Sequence, residues 1–334
     1  MASDPVRRHL DKITLDFQSG LDDLGRFDGF ESGDVEMLEF PVSGVETYWW
    51  VPIISAFLIS VVTSPAGLSG AFVLLPFQVS VLGYATPGVT PTNLLFNIFA
   101  IPAGVYRYYR EKRMVWPLVI TIAAATLPGL LLGVIIRVKY LPDPGIFKLF
   151  VGLVLLYIAS RLLPDILRPE HTAQCAPGNN GRFEVTPLLF NIREIAYEFN
   201  GVHYRVSTMA VFFLSSVVGL IGGIYGIGGG AIIAPFLVTF FKLPVHTISG
   251  AALCGTFLNS TLGVLLYFLV APAISDNADA VRPDLLLGLL FGIGGTIGIY
   301  IGARLQRYLP ARLIKFILLL IMTFVGGKYV ISYF

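Results

Sequence analysis

The chain has 334 residues, 55% of them hydrophobic and only 13% charged, and its mean hydropathy is +0.76. That balance excludes an ordinary soluble domain and marks an integral membrane protein. A net charge of +2 provides no field for nucleic acid, and Cys175 and Cys254 stand too far apart, in unlike settings, to suggest a disulfide framework or a thiolate metal site.

Residues 1–47 read as a polar tail that lacks the basic start and apolar core of a signal peptide. Within it Val6, Leu10, Ile13, Phe17 and Leu24 are helix-spaced, as in a short amphipathic helix at the membrane interface or an ordinary surface helix. Five apolar segments follow between 48 and 163, at roughly 48–63, 68–83, 88–106, 115–136 and 145–163. A polar linker, 164–206, contains EFNGVHYRVS, where Asn200-Gly201 between alternating residues predicts a tight hairpin outside the membrane. Five more segments occupy 207–334, at roughly 207–225, 227–241, 246–271, 283–303 and 311–333. About 20 helical residues are needed to cross a hydrocarbon core, so the first two segments of each set read as half-helices.

The two sets align on each other. At one offset Gly67 meets Gly226, Gly70 meets Gly229, Pro76 meets Pro235 and Phe77 meets Phe236, and the register continues to Gly104 with Gly263 and Tyr108 with Tyr267. With small shifts Gly129 and Gly133 match Gly298 and Gly302, and Tyr140-Leu141-Pro142 matches Tyr308-Leu309-Pro310. Basic residues then set the relative orientation. In the first half the loop after the third segment carries Arg107, Arg110, Lys112 and Arg113, whereas in the second half the positive loop comes one segment later, with Arg304, Arg307, Arg312 and Lys315. The expected fold is therefore an all-α membrane protein of two inverted five-segment repeats, with the linker cytoplasmic and broken helical hairpins at the glycine-rich turns. Arg137, Lys139 and Lys148 fall on the outer side and count against this orientation.

The richest of those turns is GGIYGIGGGAIIAPF, from Gly222 to Phe236. Irregular backbone cannot face lipid, because each unpaired N–H or C=O group costs several kcal/mol. Short, glycine-interrupted segments at matching places in two inverted repeats therefore point to a transporter's central binding site. Gly226, Gly228, Gly229 and Gly230, like Gly67, Ser69 and Gly70, let the chain turn so that a second half-helix begins with free N–H groups and the positive end of its dipole. Such an end suits an anion, with the N–H groups of Ser69, Gly70, Gly229 and Gly230 as its first contacts.

The segment interiors hold no ionisable residue at mid-depth, which argues against a carboxylate proton relay. Neutral polar groups take their place: Asn93 and Asn97 share one helix face, and Thr256, Asn259 and Ser260 form a similar face in the matching segment. These side chains serve either as substrate ligands or as interhelical glue. Gly129/Gly133, Gly298/Gly302 and Gly292/Gly294/Gly295 read instead as close-packing contacts. The string GIGGGA fits a dinucleotide fingerprint, but its flanks are membrane stretches and no acid follows at the required distance. There is no phosphate-loop motif, no H-E-x-x-H and no G-x-S-x-G, so neither an enzyme nor a bound metal or cofactor is expected.

GLIGGIYGIGGGAIIAPFL and its weaker echo GLSGAFVLLPF resemble the TauE/SafE family of membrane exporters, and the likeness runs from about Tyr48 to the end of the chain. The resemblance implies export of sulfite or small organosulfonates across the prokaryotic cytoplasmic membrane. The first half departs from the glycine signature, with Ser69 and Ala71 opposite Gly228 and Gly230. The expectation is a secondary carrier working by alternating access, with substrate held by Gly67, Ser69, Gly70, Asn93, Asn97, Gly226, Gly228, Gly229, Gly230, Thr256 and Asn259. Sodium or proton coupling and assembly as a homodimer are left open. The rival readings are an anion channel and, behind it, a membrane subunit or enzyme without transport.

Overall fold

A computed structural model describes residues 37–64, 68–110, 112, 114–167, 185–199, 201–241, 243–275, 277–305 and 311–334. The interfacial helix expected in the tail, Gly67 and Tyr308-Leu309-Pro310 lie outside the described residues. A small hairpin, β1 (Leu38–Phe40) with β2 (Val45–Thr47), precedes α1 (Trp50–Thr63) and α2 (Ala71–Ser80). Next come α3 (Val89–Ala100), α4 (Pro102–Arg110), α5 (Trp116–Lys139) and α6 (Pro144–Leu167). The sheet β3 (Val185–Phe190), β4 (Glu194–Phe199) and β5 (Val202–Ser207) is antiparallel throughout. The second half holds α7 (Thr208–Tyr225), α8 (Gly230–Thr239), α9 (Val245–Leu269), the short α10 (Ala271–Ile274), α11 (Leu285–Leu305) and α12 (Ala311–Ile331).

The segment expected at 88–106 divides into α3 and α4, because Pro102 has no N–H to continue the ladder and instead opens a new helix. The segment at 207–225 forms a full 18-residue helix, α7, rather than a half-helix. It is one of five helices among the described residues that are long and apolar enough to cross a membrane. By contrast α2 and α8 have 10 residues each, about 15 Å of rise and half a bilayer core. The protein is a multi-pass, mostly helical membrane protein.

Glycine contacts set the helix directions. A Cβ at Gly129 would strike the carbonyl of Ser216, and one at Gly133 that of Leu220, so α5 and α7 run parallel at backbone-to-backbone distance. In the same way Gly298 seats on the carbonyl of Phe57 and Gly302 on that of Val61, making α11 and α1 parallel. These glycines pack, as their spacing suggested. Running the opposite way, α3 and α4 cross α9: Leu94 lies against Gly263, Asn97 bonds Ser260, and Gly104 faces Leu253. Thus α1, α3 and α11 point one way, while α5, α7 and α9 point the other. The next-to-last helix of each half, α5 or α11, packs on the helix that opens the other half, while the closing helices α6 and α12 meet each other at Gly152 and Gly326.

The linker sheet docks at one end of this bundle. The backbone N–H of Val185 donates to the Lys112 carbonyl, and the buried hydroxyls of Tyr197 and Thr247 lie 2.9 Å apart, joining β4 to the start of α9. Burial pushes the Tyr197 phenol up to about 12, against the opposing pull of that hydrogen bond.

Candidate functional site

The second break occupies Gly226 to Gly229, between α7 and α8. Gly226, Gly228 and Gly229 have φ of 82°, 73° and 88°, a region a Cβ would make costly. Gly226 ends α7 in the left-handed conformation, its N–H bonded to the Gly222 carbonyl. The chain then reverses. Gly223 accepts a hydrogen bond from Tyr267 near the end of α9, whereas Gly230 lies against Ala252 and Thr256 further back along the same helix, so α8 returns towards the start of α9. The result is a helical hairpin turned back within the bundle.

Three successive carbonyls freed at this turn are each taken by an asparagine amide. Asn93 Nδ2 donates to Gly226 O at 3.0 Å, Asn97 Nδ2 to Ile227 O at 3.1 Å, and Asn259 Nδ2 to Gly228 O at 3.2 Å. All three asparagines are buried, where an unpaired amide or carbonyl would cost about 1–3 kcal/mol. Further partners hold these amides in turn: Gln78 Nε2 donates to Asn93 Oδ1 at 3.1 Å, and Thr126 donates to Asn259 Oδ1. Asn97 Nδ2 also reaches Ser260 Oγ at 3.2 Å, while Asn97 Oδ1 and Gln78 Oε1 are buried acceptors without a partner among the described residues.

The first break lies between α1 and α2, and residues 68–70 and the start of α2 are described there. Gly70 caps α2 with ordinary right-handed geometry, φ −66°, unlike its aligned partner Gly229. The two breaks adjoin in the interior. Asn93 Nδ2 donates to Ala71 O at 2.9 Å as well as to Gly226 O, and the buried Tyr225 hydroxyl donates to Phe72 O at 2.7 Å.

The structure therefore gathers Asn93, Asn97, Gly226, Gly228, Gly229, Gly230, Thr256 and Asn259 around one turn and brings Gly70 and buried Ser69 to its neighbour. The asparagines donate to backbone carbonyls, and the hydroxyl of Thr256 bonds back to Ala252 O at 2.8 Å. Residues 53–329 match the family described as Sulfite exporter TauE/SafE.

The chain belongs to the TauE/SafE family. It is similar to the probable membrane transporter protein YunE of Bacillus subtilis (strain 168), with 24% identity over 80% of this chain and 94% of that protein. YjnA of the same organism, also a probable membrane transporter protein, is 23% identical over 83% of this chain and 97% of its own length. The probable membrane transporter protein MamO of Paramagnetospirillum magneticum is 24% identical over 70% of this chain and 37% of its own length. No solved structure matches the chain. The TauE/SafE family is one of membrane transporters.

Several residues of the site carry no sequence signal. Thr90 donates to Ile224 O at 3.1 Å and accepts from Arg137 Nε at 3.3 Å, placing a guanidinium behind the end of α7. Arg137 sits in the last turn of α5, at a segment end as its position suggested, but it is fully buried and stacks 3.7 Å over the Phe147 ring. Gln78 and Tyr225 look like ordinary residues of apolar segments until the fold sets them beside the two turns.

Proposed function

We propose that this protein is a secondary transporter that exports small sulfur-containing anions, sulfite or organosulfonates, across a prokaryotic cytoplasmic membrane by alternating access. The observation that carries the reading is the meeting of two glycine breaks in the interior, joined through Asn93. Each break ends in a half-length helix whose first N–H groups have no partner within that helix. Such ends favour an anion without a full countercharge, and their position between crossing helices is that of a carrier's central site. Membership of a transporter family, and relatives named as probable membrane transporters, support transport, and sulfite is the cargo that the family's description names.

An inverted duplication fits the contacts. The Gly129–Ser216 and Gly133–Leu220 contacts recur as Gly298–Phe57 and Gly302–Val61, and Leu94–Gly263 recurs as Gly104–Leu253, at the aligned positions and with the helices running oppositely. Alternating access then consists of one hairpin-bearing bundle rocking on the other across these glycine seams.

The test is flux into liposomes containing the purified protein, with sulfite, sulfoacetate and sulfate supplied at varied sodium and pH. Saturable, counterflow-capable uptake of sulfite or sulfoacetate is expected. Single-channel currents in place of saturable flux would make the protein a pore, and no flux of any of these anions would refute the proposed cargo.

A further inference from the structure

The two breaks differ in the kind of hydrogen-bonding group left unused: amide oxygens, Asn97 Oδ1 and Gln78 Oε1, at the second and hydroxyl donors at the first. At the second, the asparagines consume the freed carbonyls. At the first, the hydroxyls of Ser60, Thr63 and Ser69 have no hydrogen-bond partner among the described residues, although these residues are only 0%, 1% and 3% exposed. Two of these hydroxyls converge on the cap of α2: a Cβ on Gly70 would lie 3.2 Å from Ser60 Oγ and 3.4 Å from Thr63 Oγ1. Ser69 supplies the third, one residue before that cap. A buried hydroxyl without a partner forfeits about 1–3 kcal/mol, and three around one helix N-terminus make a cluster of donors awaiting an acceptor.

Resting on the transport reading, we infer that the anion is held at the first break alone, with Ser60, Thr63 and Ser69 donating to its oxygens and the N-terminal amides of α2 completing the shell. The second break serves as a fixed scaffold. Hydroxyl donors at the positive end of a helix dipole suit an oxyanion rather than a cation. Three hydroxyls match the three-oxygen head of sulfite or a sulfonate. Ser64 supplies an internal control, because its hydroxyl is already spent on Ile299 O at 3.0 Å.

The experiment measures sulfite and sulfoacetate flux in liposomes, and anion-induced thermal shift of the purified full chain, for wild type, Ser60→Ala, Thr63→Val, Ser69→Ala, the triple variant and Ser64→Ala. Each single change at the cluster is expected to raise the anion KM about 3- to 10-fold, the worth of one hydrogen bond. The triple variant is expected to lose saturable uptake and the thermal shift, while Ser64→Ala behaves as wild type. Wild-type KM in the single variants, or a change in sodium dependence with anion KM unmoved, overturns the inference while leaving transport standing. An anion-induced shift that depends on the three hydroxyls, in a protein that carries none of these anions, upholds the site and refutes transport. If the triple variant does not fold, the three single variants decide.

Discussion

At the second break three asparagine amides reach three consecutive carbonyls and three glycines hold positive φ; at the first, the cap glycine is right-handed and its neighbouring hydroxyls lack partners among the described residues. Gly70 and Gly229 occupy aligned places in a duplicated pattern, yet only one of them needs to be glycine for its backbone angles. The difference separates two jobs that one motif can perform. Satisfying every freed carbonyl makes a turn rigid, and leaving donors unspent makes it receptive.

The sharpest way to break this comparison is Gly228→Val. At φ 73° its Cβ would fall 2.6 Å from Ser260 Oγ and 2.7 Å from Thr256 Cγ2, so the expected cost is on the order of 3 kcal/mol or more. Poor recovery of folded protein from detergent, with abolished flux, is the expected outcome. Wild-type thermal stability would show that the second break is not the scaffold described. Next in size is Asn97→Ala, which strands Ile227 O and Ser260 Oγ and should lower stability by about 1–3 kcal/mol. In thermal unfolding this loss should exceed that of Ser64→Ala.

A matched pair sharpens the contrast further. Gly229→Ala forces a left-handed alanine at a cost of about 1–2 kcal/mol, whereas Gly70→Ala should change stability less and instead crowd Ser60 and Thr63. Thermal unfolding should therefore rank Gly229→Ala as the less stable, and flux should show the larger KM change for Gly70→Ala. Smallest is Tyr197→Phe, which removes the hydroxyl contact with Thr247 between the linker sheet and the start of α9. It should cost about 1 kcal/mol and leave anion KM unchanged, which a flux assay with thermal unfolding would check.

Much of this arrangement was legible in the sequence, and the reasons differ by feature. The half-length α8 follows from Gly226, Gly228 and Gly229 interrupting an apolar run, a local property. The packing roles of Gly129, Gly133, Gly298 and Gly302 were readable because close approach of membrane helices selects small residues at fixed spacing. The asparagines were visible as a shared face, but their use was not, since nothing local tells whether an amide will meet a ligand or a carbonyl 130 residues away, as Asn97 does at Ile227. Arg137 was legible only as a terminal charge; its burial depends on Phe147 and Thr90 arriving from other helices. The unspent hydroxyls of Ser60 and Thr63 were likewise hidden, because an absent partner leaves no mark in a sequence.

The crossed seams, α5 on α7 and α11 on α1, also dictate an order of assembly. Ser64 at the end of α1 bonds Ile299, 235 residues later, so α1 cannot find its permanent neighbour until nearly the whole chain has been synthesised. Until then its glycine-facing stripe must rest against lipid or an insertion chaperone. Non-local closure of this kind slows folding, and truncated nascent chains ending before α11 should remain protease-sensitive at α1 even after they have entered the bilayer.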